Sequence, residues 1–429
     1  LCLLFILSVM KIATTTSNPF IYYAAANGTK VNYKDWPTNE MGYDFLPIYE
    51  YVADTMKNAD ICFINQETLS GGPGTKVDGF GYTLELSRKV TLDDLPNLRV
   101  RLGGSESKIE PNGYIFYSNR FASEYTYNGD DLGATWSRNS TTFKVWAPTA
   151  LNVHVKIYNS GNYGSGSQVQ YVQMTQGNQG VWTVTVPGNW HGYYYNYDVS
   201  FAGYTVEATD PYARSTGSNG DRGMILNLDA TDPEGWDKDV SPNAGMNATD
   251  AIIYEMHIRE FTLDSTSGVK SNWRGKYLGL TQDGTSYQGR STGLAHLKEL
   301  GVTHVQLMPS FDYKSVDEYY CNSYAWGYDP QNYNTPEGSY STNPHDGAVR
   351  VNEYKQMVQA LHSNGINVVM DVVFNHAFDG GNFCYNQIVP NYFSRFYGEG
   401  NWSNGSGVGN DFATERSMGR NYIVDSIFY

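Results

Sequence analysis

The sequence predicts a multidomain protein in which an antiparallel β-sandwich is followed by a parallel β/α domain of the barrel type. From about residue 128 to 205, short runs of alternating β-branched and aromatic residues are separated by turns rich in Gly, Asn and Ser. After residue 250 a helix, a glycine and an apolar strand occur in that order twice. Such repeated units predict a parallel sheet that is buried on both faces. A chain of 429 residues is long enough for two or three domains.

Composition and charge restrict the classes of function. The formal net charge is −15 and no run is rich in Lys or Arg. Nucleic acid and anionic membrane surfaces are therefore not expected as partners, because both are bound by clustered positive charge. The chain also contains 36 Tyr, 18 Phe and 9 Trp. Such side chains suit sugar rings and protein interfaces, but the same composition is typical of an ordinary β-rich secreted protein.

The cysteines and the N-terminus leave the cellular compartment open. The four cysteines show neither a CxxC spacing nor a dense framework, so no zinc site or disulfide scaffold is predicted. A bridge between Cys321 and Cys384 stays an open alternative. The first eleven residues, LCLLFILSVMK, are too short to span a bilayer. They fit the remainder of a signal-peptide core and a buried strand equally well. Secreted and cytoplasmic locations are both compatible with this sequence.

Residues 1–75 form a separate N-terminal segment. The stretch YDFLPIYEYVADTMKNADICFINQETLSGG predicts an amphipathic helix followed by a short strand at 61–64. Asn65 and Glu67 follow that strand. The stretch resembles part of the capsule-synthesis-type metallophosphoesterases, in which an Asn and a Glu after such a strand lie at the metal site. No other ligand motif of that family occurs, so a remnant or a fusion junction without activity of its own is expected. Residues 76–127 show no assignable pattern.

Residues 128–228 are predicted to form the β-sandwich. The runs TTFKVWAP, NVHVKIY, VWTVTVP and GYYYNYDVSF are its predicted strands. Trp146 and Trp190 are expected in the sandwich core instead of on a starch-binding surface. The polar segment 229–250, which contains Pro and several Asp, is the predicted linker to the next domain.

Residues 251–429 contain the predicted barrel elements. Residues 251–261 form the first predicted strand. A helix follows at 292–301, with Gly301 as its C-terminal stop, and a second strand at 302–310. The side of this helix predicted to face the sheet carries Leu294, Leu297 and Leu300.

The helix–glycine–strand unit occurs a second time. The predicted helix covers 352–365, with Asn352 as N-cap and Gly365 at its end, and the predicted strand covers 366–376. The residues predicted to face the core are Tyr354, Met357, Val358 and Leu361.

Polar residues follow each predicted strand. These are the segments His257–Glu260, Pro309–Asp312 and Asp371–His376. Because the carboxyl ends of parallel strands form the active face of such domains, we expect these segments to lie together. The inserted segment YAWGYDPQNYNTPEGSYS, residues 324–341, has the composition of a sugar-binding platform. On this pattern alone the sequence predicts a barrel enzyme, with carbohydrate favoured and other small molecules still open.

Several segments resemble one enzyme family in that family's order. YAWGYDP resembles the Tyr-Asn-Trp-Gly-Tyr-Asp-Pro signature of type I pullulanases, α-1,6 debranching enzymes of the α-amylase superfamily, with Ala325 in place of Asn. DVVFNH is similar to the first conserved region of that superfamily. YEMHIREFT, LMPSFDY and GNDFATERSM also resemble pullulanase segments, and residues 129–214 resemble the β-sandwich module that precedes the barrel. The resemblance covers roughly residues 125–429.

The resemblance implies a fold and an activity. The fold is an antiparallel, starch-binding-like β-sandwich followed by the first part of a (β/α)8 TIM barrel, with about three of eight strands present. The activity is hydrolysis of α-1,6-glucosidic linkages in pullulan, starch or glycogen branches by a retaining mechanism. The implied partner is a branched α-glucan.

The resemblance also implies roles for individual residues. Tyr328 would stack on the sugar at the −1 subsite, with Asp329 beside it. His376 would hydrogen-bond the 6-hydroxymethyl group of that sugar. Asp371 would orient a catalytic Arg through a charge-assisted hydrogen bond. Asn410 and Asp411 would line the cleft.

No cofactor is required by the implied chemistry. In calcium-dependent relatives the position of Asn375 helps to hold a structural ion, so a structural calcium ion is compatible with the resemblance. Zinc and other catalytic metals are not implied.

The resemblance places the reacting carboxylates outside this sequence. Retaining glycoside hydrolysis needs a nucleophile and an acid/base about 5–5.5 Å apart. In the superfamily the nucleophilic Asp lies on the fourth strand, the acid/base Glu on the fifth and a further Asp on the seventh. The final residues NYIVDSIFY fit the helix that leads into the fourth strand. We therefore expect these carboxylates and the partner Arg beyond Tyr429, and the chain alone to be inactive.

Three alternatives stay open. The chain is a non-catalytic α-glucan-binding fragment in the first, and belongs to a glycogen debranching or branching enzyme in the second. The third is a metal-dependent phosphoesterase defined by the N-terminal segment, against which the lack of further ligand motifs argues. Cys321 has no partner base and is expected to be inert.

Overall fold

The computed structural model of the chain describes residues 63–64, 99–102, 105–108, 116–201, 203–397 and 401–428. The predicted N-terminal helix, Asn65 and Glu67 lie outside these residues. Of the strand predicted at 61–64, the described part is Phe63–Ile64.

Strands and helices are numbered here in chain order. The strands up to the end of the sandwich are β1 (Phe63–Ile64), β2 (Arg99–Leu102), β3 (Ser105–Lys108), β4 (Gly133–Trp136), β5 (Ser140–Trp146), β6 (Asn152–Tyr158), β7 (Gln168–Gln173), β8 (Thr175–Gln176), β9 (Val181–Pro187), β10 (Tyr194–Phe201), β11 (Tyr204–Ala208) and β12 (Gly223–Met224). The later strands are β13 (Ile253–Met256), β14 (Ser286–Tyr287), β15 (Arg290–Ser291), β16 (His304–Leu307), β17 (Phe311–Tyr313), β18 (Pro330–Pro336), β19 (Asn367–Val372), β20 (Phe396–Tyr397) and β21 (Asn401–Trp402). The helices are α1 (Asn119–Tyr125), α2 (Ile258–Thr262), α3 (Gly293–Leu300), α4 (Gly347–Ser363), α5 (Cys384–Ile388) and α6 (Ser417–Phe428).

The sandwich consists of two antiparallel sheets. One has the strand order β4-β5-β9-β8 and the other the order β11-β10-β6-β7, with β12 also paired to β10. Alternate residues of β6 point into the core, and Val153, Val155 and Ile157 are fully buried. This alternation is the period-two pattern on which the prediction depended. Strands β6 and β9 have the predicted bounds.

The barrel-type sheet is parallel, as predicted. Its order is β1-β19-β16-β13, with β1 paired in parallel to the outer side of β19. One face of this sheet packs on α3 and α4 through fully buried apolar side chains. These side chains are Val305, Leu307 and Val368 on the strands and Leu297, Met357 and Leu361 on the helices. The predicted core positions of α4 are confirmed, because Tyr354 and Val358 pack against the same cluster.

Some predicted element limits are wrong. The first strand ends at Met256 because the imidazole of His257 caps α2, its Nδ1 accepting the backbone N–H of Glu260 at 3.3 Å. Helix α3 ends at Gly301 as predicted, with φ of 69°. Its Leu300 is 48% exposed and does not join the core.

Helix α4 begins five residues earlier than predicted. Its N-cap is Asp346, whose Oδ1 accepts the N–H of Ala348 at 2.9 Å. Asn352 instead lies within the helix and donates its side-chain N–H to the backbone oxygen of Thr231 at 3.0 Å. An aspartate is as good an N-cap as an asparagine, and the extra turn brings Arg350 into the protein interior.

The predicted linker is bound along the barrel-type domain. Lys355 of α4 forms an ion pair with Asp232 at 2.5 Å, and His362 Nδ1 lies 2.6 Å from Asp239 Oδ2. Asn243 donates to the backbone oxygen that precedes β16, that of Thr303, at 3.1 Å. Residues 229–250 therefore form a strap across one end of the parallel sheet.

Sandwich and barrel-type elements share one core. The ring of Trp146 lies 4.7 Å from that of Tyr392 and 5.8 Å from that of Phe393, both in the segment after α5. Trp146 is 5% exposed, which confirms its predicted core position. Trp190 is half-buried and packs edge-to-face on Tyr193 at the margin of this core, so its prediction is only partly correct.

Two further predictions can be compared with the described residues. Cys321 and Cys384 are both free thiols, so the bridge left open by the sequence is not formed. Among the described helices, none has the length and apolar character needed to cross a bilayer.

Candidate active site

The carboxyl ends of β13, β16 and β19 present a polar face on the side of the sheet opposite the helices. Glu255, Gln306 and Val369 lie side by side in the parallel register. The side chain of Gln306 donates to Glu255 Oε1 at 3.1 Å. Asp371 lies two residues after Val369 and so projects from the same face. Parallel strands thus place carboxylates from β13 and β19 on one side of the sheet.

Tyr328 and Asp371 are joined directly. The Tyr328 hydroxyl donates to Asp371 Oδ2 at 2.6 Å. The Asp371 side chain is buried, and its Oδ1 accepts no hydrogen bond from the described residues. Burial raises the pKa of Asp371 to about 6, and the charge of Glu255 acts in the same direction while the Tyr328 hydrogen bond opposes it. A buried carboxylate oxygen without a donor is a site where another donor would bind favourably.

His376 fixes the backbone of the same tyrosine. Its Nε2 lies 2.9 Å from the backbone oxygen of Tyr328, and its Nδ1 lies 2.7 Å from Asn375 Oδ1. The Tyr333 hydroxyl also donates to the backbone oxygen of His376. Tyr328 is therefore bound at its hydroxyl by β19 and at its carbonyl by His376, in the segment after β19.

Asp329 binds the loop after β17. Its Oδ2 accepts the N–H of Ser315 at 2.6 Å, and its backbone oxygen accepts the N–H of Lys314 at 3.1 Å. Burial raises the pKa of the Asp329 carboxyl. Asp329 directly follows Tyr328 in the sequence, and its carboxylate binds the loop after β17.

Asn410 and Asp411 are buried beneath the loop that follows His376. Asn410 Oδ1 accepts the N–H of Ala377 at 2.9 Å, and its Nδ2 donates to the oxygen of the same residue at 2.7 Å. Asp411 accepts the N–H groups of Gly405 and Ser406 at 2.8 and 2.7 Å and is 0% exposed. In this structure both residues hold loops in place.

Glu255 and Phe378 near the site are not predicted from the sequence, whereas Trp326 lies in the segment 324–341 predicted as a sugar-binding platform. Glu255 is a charge inside an apolar strand, the same signal that identified Asp371, and it was available in the run YEMH. Phe378 is 51% exposed two residues after His376, and Trp326 is 61% exposed two residues before Tyr328. Exposed aromatic rings of this size beside a polar site are suited to sugar contact.

The surroundings of Asn375 do not fit a calcium ion. Its side-chain oxygen contacts the His376 ring, and its backbone oxygen accepts the N–H of Phe412 at 2.8 Å. Calcium is held by several oxygens, usually including carboxylates. Within the described ranges, the group of three close carboxylates lies elsewhere and contains no neighbour of Asn375.

Comparisons with known proteins agree with this architecture. Residues 131–213 match carbohydrate-binding module 48, the isoamylase N-terminal domain, and residues 256–393 match the α-amylase catalytic domain. A pullulanase of Bacillus subtilis (strain 168) is 41% identical over 319 residues, covering 74% of this chain and 43% of that protein. The chloroplastic pullulanase 1 of Arabidopsis thaliana is 32% identical, covering 71% of this chain and 35% of that protein.

Solved structures give the same result. A pullulanase of Paenibacillus barengoltzii, in complex with maltohexaose and α-cyclodextrin, matches with a TM-score of 0.68 and 44% identity, over 73% of this chain and 48% of that one. The pullulanase of Bacillus acidopullulyticus matches with a TM-score of 0.71 and 44% identity, over 76% and 39%.

The chain spans less than half the length of these curated relatives. Both family matches begin after residue 130, so the metallophosphoesterase resemblance of the N-terminal segment has no support. The predicted fold class is confirmed by these matches together with the sheet topology. The chain belongs to the pullulanase and α-amylase family, and consists of a carbohydrate-binding module 48 followed by part of an α-amylase-type catalytic domain.

Proposed function

We propose that this chain supplies the β-sandwich and the sugar-binding part of the catalytic domain of an enzyme that hydrolyses α-1,6-glucosidic linkages in branched α-glucans. The observation that carries the proposal is the fixed position of Tyr328. Its hydroxyl is bound by Asp371 and its carbonyl by His376 at the carboxyl ends of parallel strands. The identities of 41% and 44% to pullulanases support the choice of linkage.

Tyr328 is suited to stacking on one glucose ring. A ring that is held at both its hydroxyl and its backbone loses little freedom when a ligand binds, so more of the stacking energy appears as affinity. His376 positions this ring through the Tyr328 carbonyl, and we propose that it also hydrogen-bonds the 6-hydroxymethyl group of the bound sugar.

Asp371 is suited to orienting an arginine. Its Oδ1 is buried and accepts no hydrogen bond from the described residues, while Oδ2 is held by Tyr328. A guanidinium placed against Oδ1 would make a charge-assisted bond and would lower the pKa of this carboxyl. Asp371 therefore acts as a positioning residue, and we assign neither the nucleophile nor the acid/base to a described residue of this chain.

The reaction class needs no cofactor. Retaining hydrolysis uses two carboxylates and water, which divide the displacement into a glycosyl-enzyme step and its hydrolysis. No calcium ion is assigned at Asn375. For the substrate, the maltohexaose and α-cyclodextrin bound to the Paenibacillus barengoltzii pullulanase support α-glucan chains as ligands. Pullulan, starch and glycogen branches remain our proposed substrates.

The proposal is tested by maltotriose binding to the intact chain, measured by isothermal titration calorimetry. Tyr328→Ala is expected to weaken binding roughly two- to tenfold, because stacking on one aromatic ring contributes on the order of 0.5–1.5 kcal/mol. Tyr287→Ala, an exposed tyrosine of the β14–β15 hairpin, is the matched control and should bind as the unchanged chain does. No binding, or equal loss in both variants, would contradict the proposal. Release of reducing ends from pullulan by this chain would contradict the assignment of the reacting carboxylates.

A second candidate is glucan binding by the sandwich alone. Tyr163, Tyr171 and Tyr204 are 77%, 48% and 40% exposed on this domain, which favours such a surface. Because sandwich and barrel-type elements share a core, the test uses the whole chain. A Tyr204→Ala variant that loses maltotriose binding while Tyr328→Ala retains it would select this candidate.

A further inference from the structure

Three carboxylates converge on one arginine beneath the site. Oxygen atoms of Asp312, Glu318 and Glu337 all lie within 4.8 Å of one another, and each residue is at most 1% exposed. The guanidinium of Arg350, which is 0% exposed, binds Glu318 in a bidentate manner at 2.6 and 3.2 Å. We call these four residues the buried acidic cluster.

The cluster has an excess of negative charge. Three ionised carboxylates and one guanidinium would leave two uncompensated charges in the protein interior, which is costly unless the charges are neutralised. Neither of the nearby lysines, Lys276 and Lys314, forms an ion pair with these carboxylates in the described residues, and Lys276 donates instead to the Ser339 oxygen at 2.7 Å. The other titratable groups around the cluster are Asp221, Tyr277, Tyr313, Asp317, Tyr319, Cys321, Tyr340 and Cys384.

One oxygen of the cluster is available for a proton. Both oxygens of Glu318 accept from Arg350, and those of Glu337 accept the N–H groups of Tyr313 and Ser339 at 3.1 and 2.8 Å. Asp312 Oδ2 accepts from the side chain of Asn332 at 2.7 Å.

Asp312 Oδ1 is the exception. It accepts no hydrogen bond from the described residues, and its nearest guanidinium nitrogen, Arg350 Nη1, is 3.7 Å away. A carboxylic acid at Asp312 would therefore have a free oxygen for its proton and carboxylate acceptors close by.

The cluster connects the sandwich to the ribbon that carries Tyr328. Asn219, in the loop between β11 and β12, donates its N–H to Glu318 at 2.6 Å and accepts the N–H of Glu318 at 2.8 Å. Arg350 donates to the Gly217 oxygen of the same loop at 2.8 Å. Asp312 belongs to β17, which pairs with β18, and β18 begins two residues after Tyr328.

We propose that Asp312 is protonated in the folded chain at neutral pH, and that this proton keeps the sandwich loop 217–219 clamped to the β17–β18 ribbon. Release of the proton leaves two or more negatively charged carboxylates close to each other. Their repulsion weakens the contact between loop 217–219 and the β17–β18 ribbon. The inference does not depend on the glycosidase activity, because it concerns the packing of two parts of the chain.

The direction of the pH effect follows from the pKa values. Burial raises the pKa of Asp312 to about 8, with the charge of Glu318 adding to it, and also raises the pKa of Glu337. A carboxyl whose pKa is higher in the folded state gives stability that is complete below its unfolded pKa of about 3.9 and is lost as pH rises toward 8. Asp210 and Asp371, with pKa values of about 6, complete most of their titration below pH 7.

The test is urea unfolding of the intact chain between pH 7 and pH 9. For a group with a pKa of about 8, the unfolding equilibrium constant is expected to rise about tenfold over this interval. Asp312→Asn, which keeps the shape and carries no titrating proton, is expected to lose most of this rise. Asp229→Asn, at an exposed position away from the cluster, is the control and should keep it. An unchanged chain without the rise, or an Asp312→Asn variant with the full rise, would overturn the proposal.

Two further measurements distinguish the effect of the proposed proton from a folding defect in the variant and from neutralisation of the cluster by a bound cation. If Asp312→Asn does not fold, Asp312→Ser, which also removes the titrating carboxyl, is measured in its place with the same expectation. Calcium and a chelator are each added to the unchanged chain, and neither is expected to alter the unfolding midpoint. A calcium-dependent midpoint that Asp312→Asn abolishes would show that a cation neutralises the cluster, and would overturn the proposed proton.

Discussion

Asp371 combines two properties that compete at a single residue. Burial disfavours its charge, while the hydroxyl of Tyr328 stabilises that charge through one hydrogen bond. The net effect is a pKa of about 6, so one hydrogen bond does not offset the loss of water around a carboxylate. The second oxygen, Oδ1, accepts no hydrogen bond from the described residues. A further donor at Oδ1 would stabilise the charged form and lower this pKa.

The pH dependence of stability tests this environment. Asp371→Asn is expected to stabilise the chain at pH 8 by roughly 1–3 kcal/mol, because the variant has no charge to bury. Its free energy of unfolding should also fall less between pH 5 and pH 7 than that of the unchanged chain, where the Asp371 pKa of about 6 contributes a decline. The Asp229→Asn variant should behave as the unchanged chain does. A destabilised Asp371→Asn variant at pH 8 would contradict this account.

At the residue scale, the sequence predicts which segments meet at the strand ends but not the side-chain contacts between them. Tyr328, Asp371 and His376 were predicted as strand-end and loop residues of the site, and the structure brings them together. The sequence did not predict that Asp371 binds the Tyr328 hydroxyl, because the two residues are 43 positions apart. Contacts of that kind depend on the path of the intervening loop, which local pattern does not determine.

At the element scale, helix α4 shows where a local signal misleads. The run GAVRV at 347–351 contains a glycine and two β-branched valines, all poor helix formers. Burial of Val351 and the ion pair of Arg350 compensate for these propensities and extend the helix to Asp346. Tertiary contacts therefore set this helix start, whereas the periodic part of the helix could be predicted correctly.

The helix start gives a simple stability test. Asp346→Ala removes the side chain that accepts the Ala348 N–H and is expected to destabilise the chain by about 1 kcal/mol. Asp346→Asn keeps an acceptor and should cost only a few tenths of that free energy. Both are measured by urea unfolding at constant pH. Equal losses for Ala and Asn would show that Asp346 contributes through its charge instead of as a cap.

At the scale of the whole molecule, the relation between sandwich and barrel-type domain was the least predictable feature. The sequence indicated two domains and a linker at 229–250, but the described linker is bound along α4 and β16. The aromatic residues after α5 pack on the sandwich core, and the buried acidic cluster binds the sandwich loop. Most of these contacts join residues about a hundred positions apart or more. Short-range periodicity in the sequence therefore does not predict them.

A shared core predicts that both domains unfold together. Trp146 contacts Tyr392 and Phe393 across the domain boundary, so Trp146→Ala is expected to destabilise the chain by roughly 3–5 kcal/mol. Differential scanning calorimetry should show one cooperative transition for the described domains, lowered as a unit in the variant. Trp136→Ala, at the half-buried edge of β4, is the matched control and should shift this transition much less, because its described ring and hydrogen-bond contacts are with His191 and Asn189 of the sandwich. Two separate transitions, with only one of them lowered by Trp146→Ala, would mean that the sandwich folds independently and that its glucan affinity can be measured in isolation.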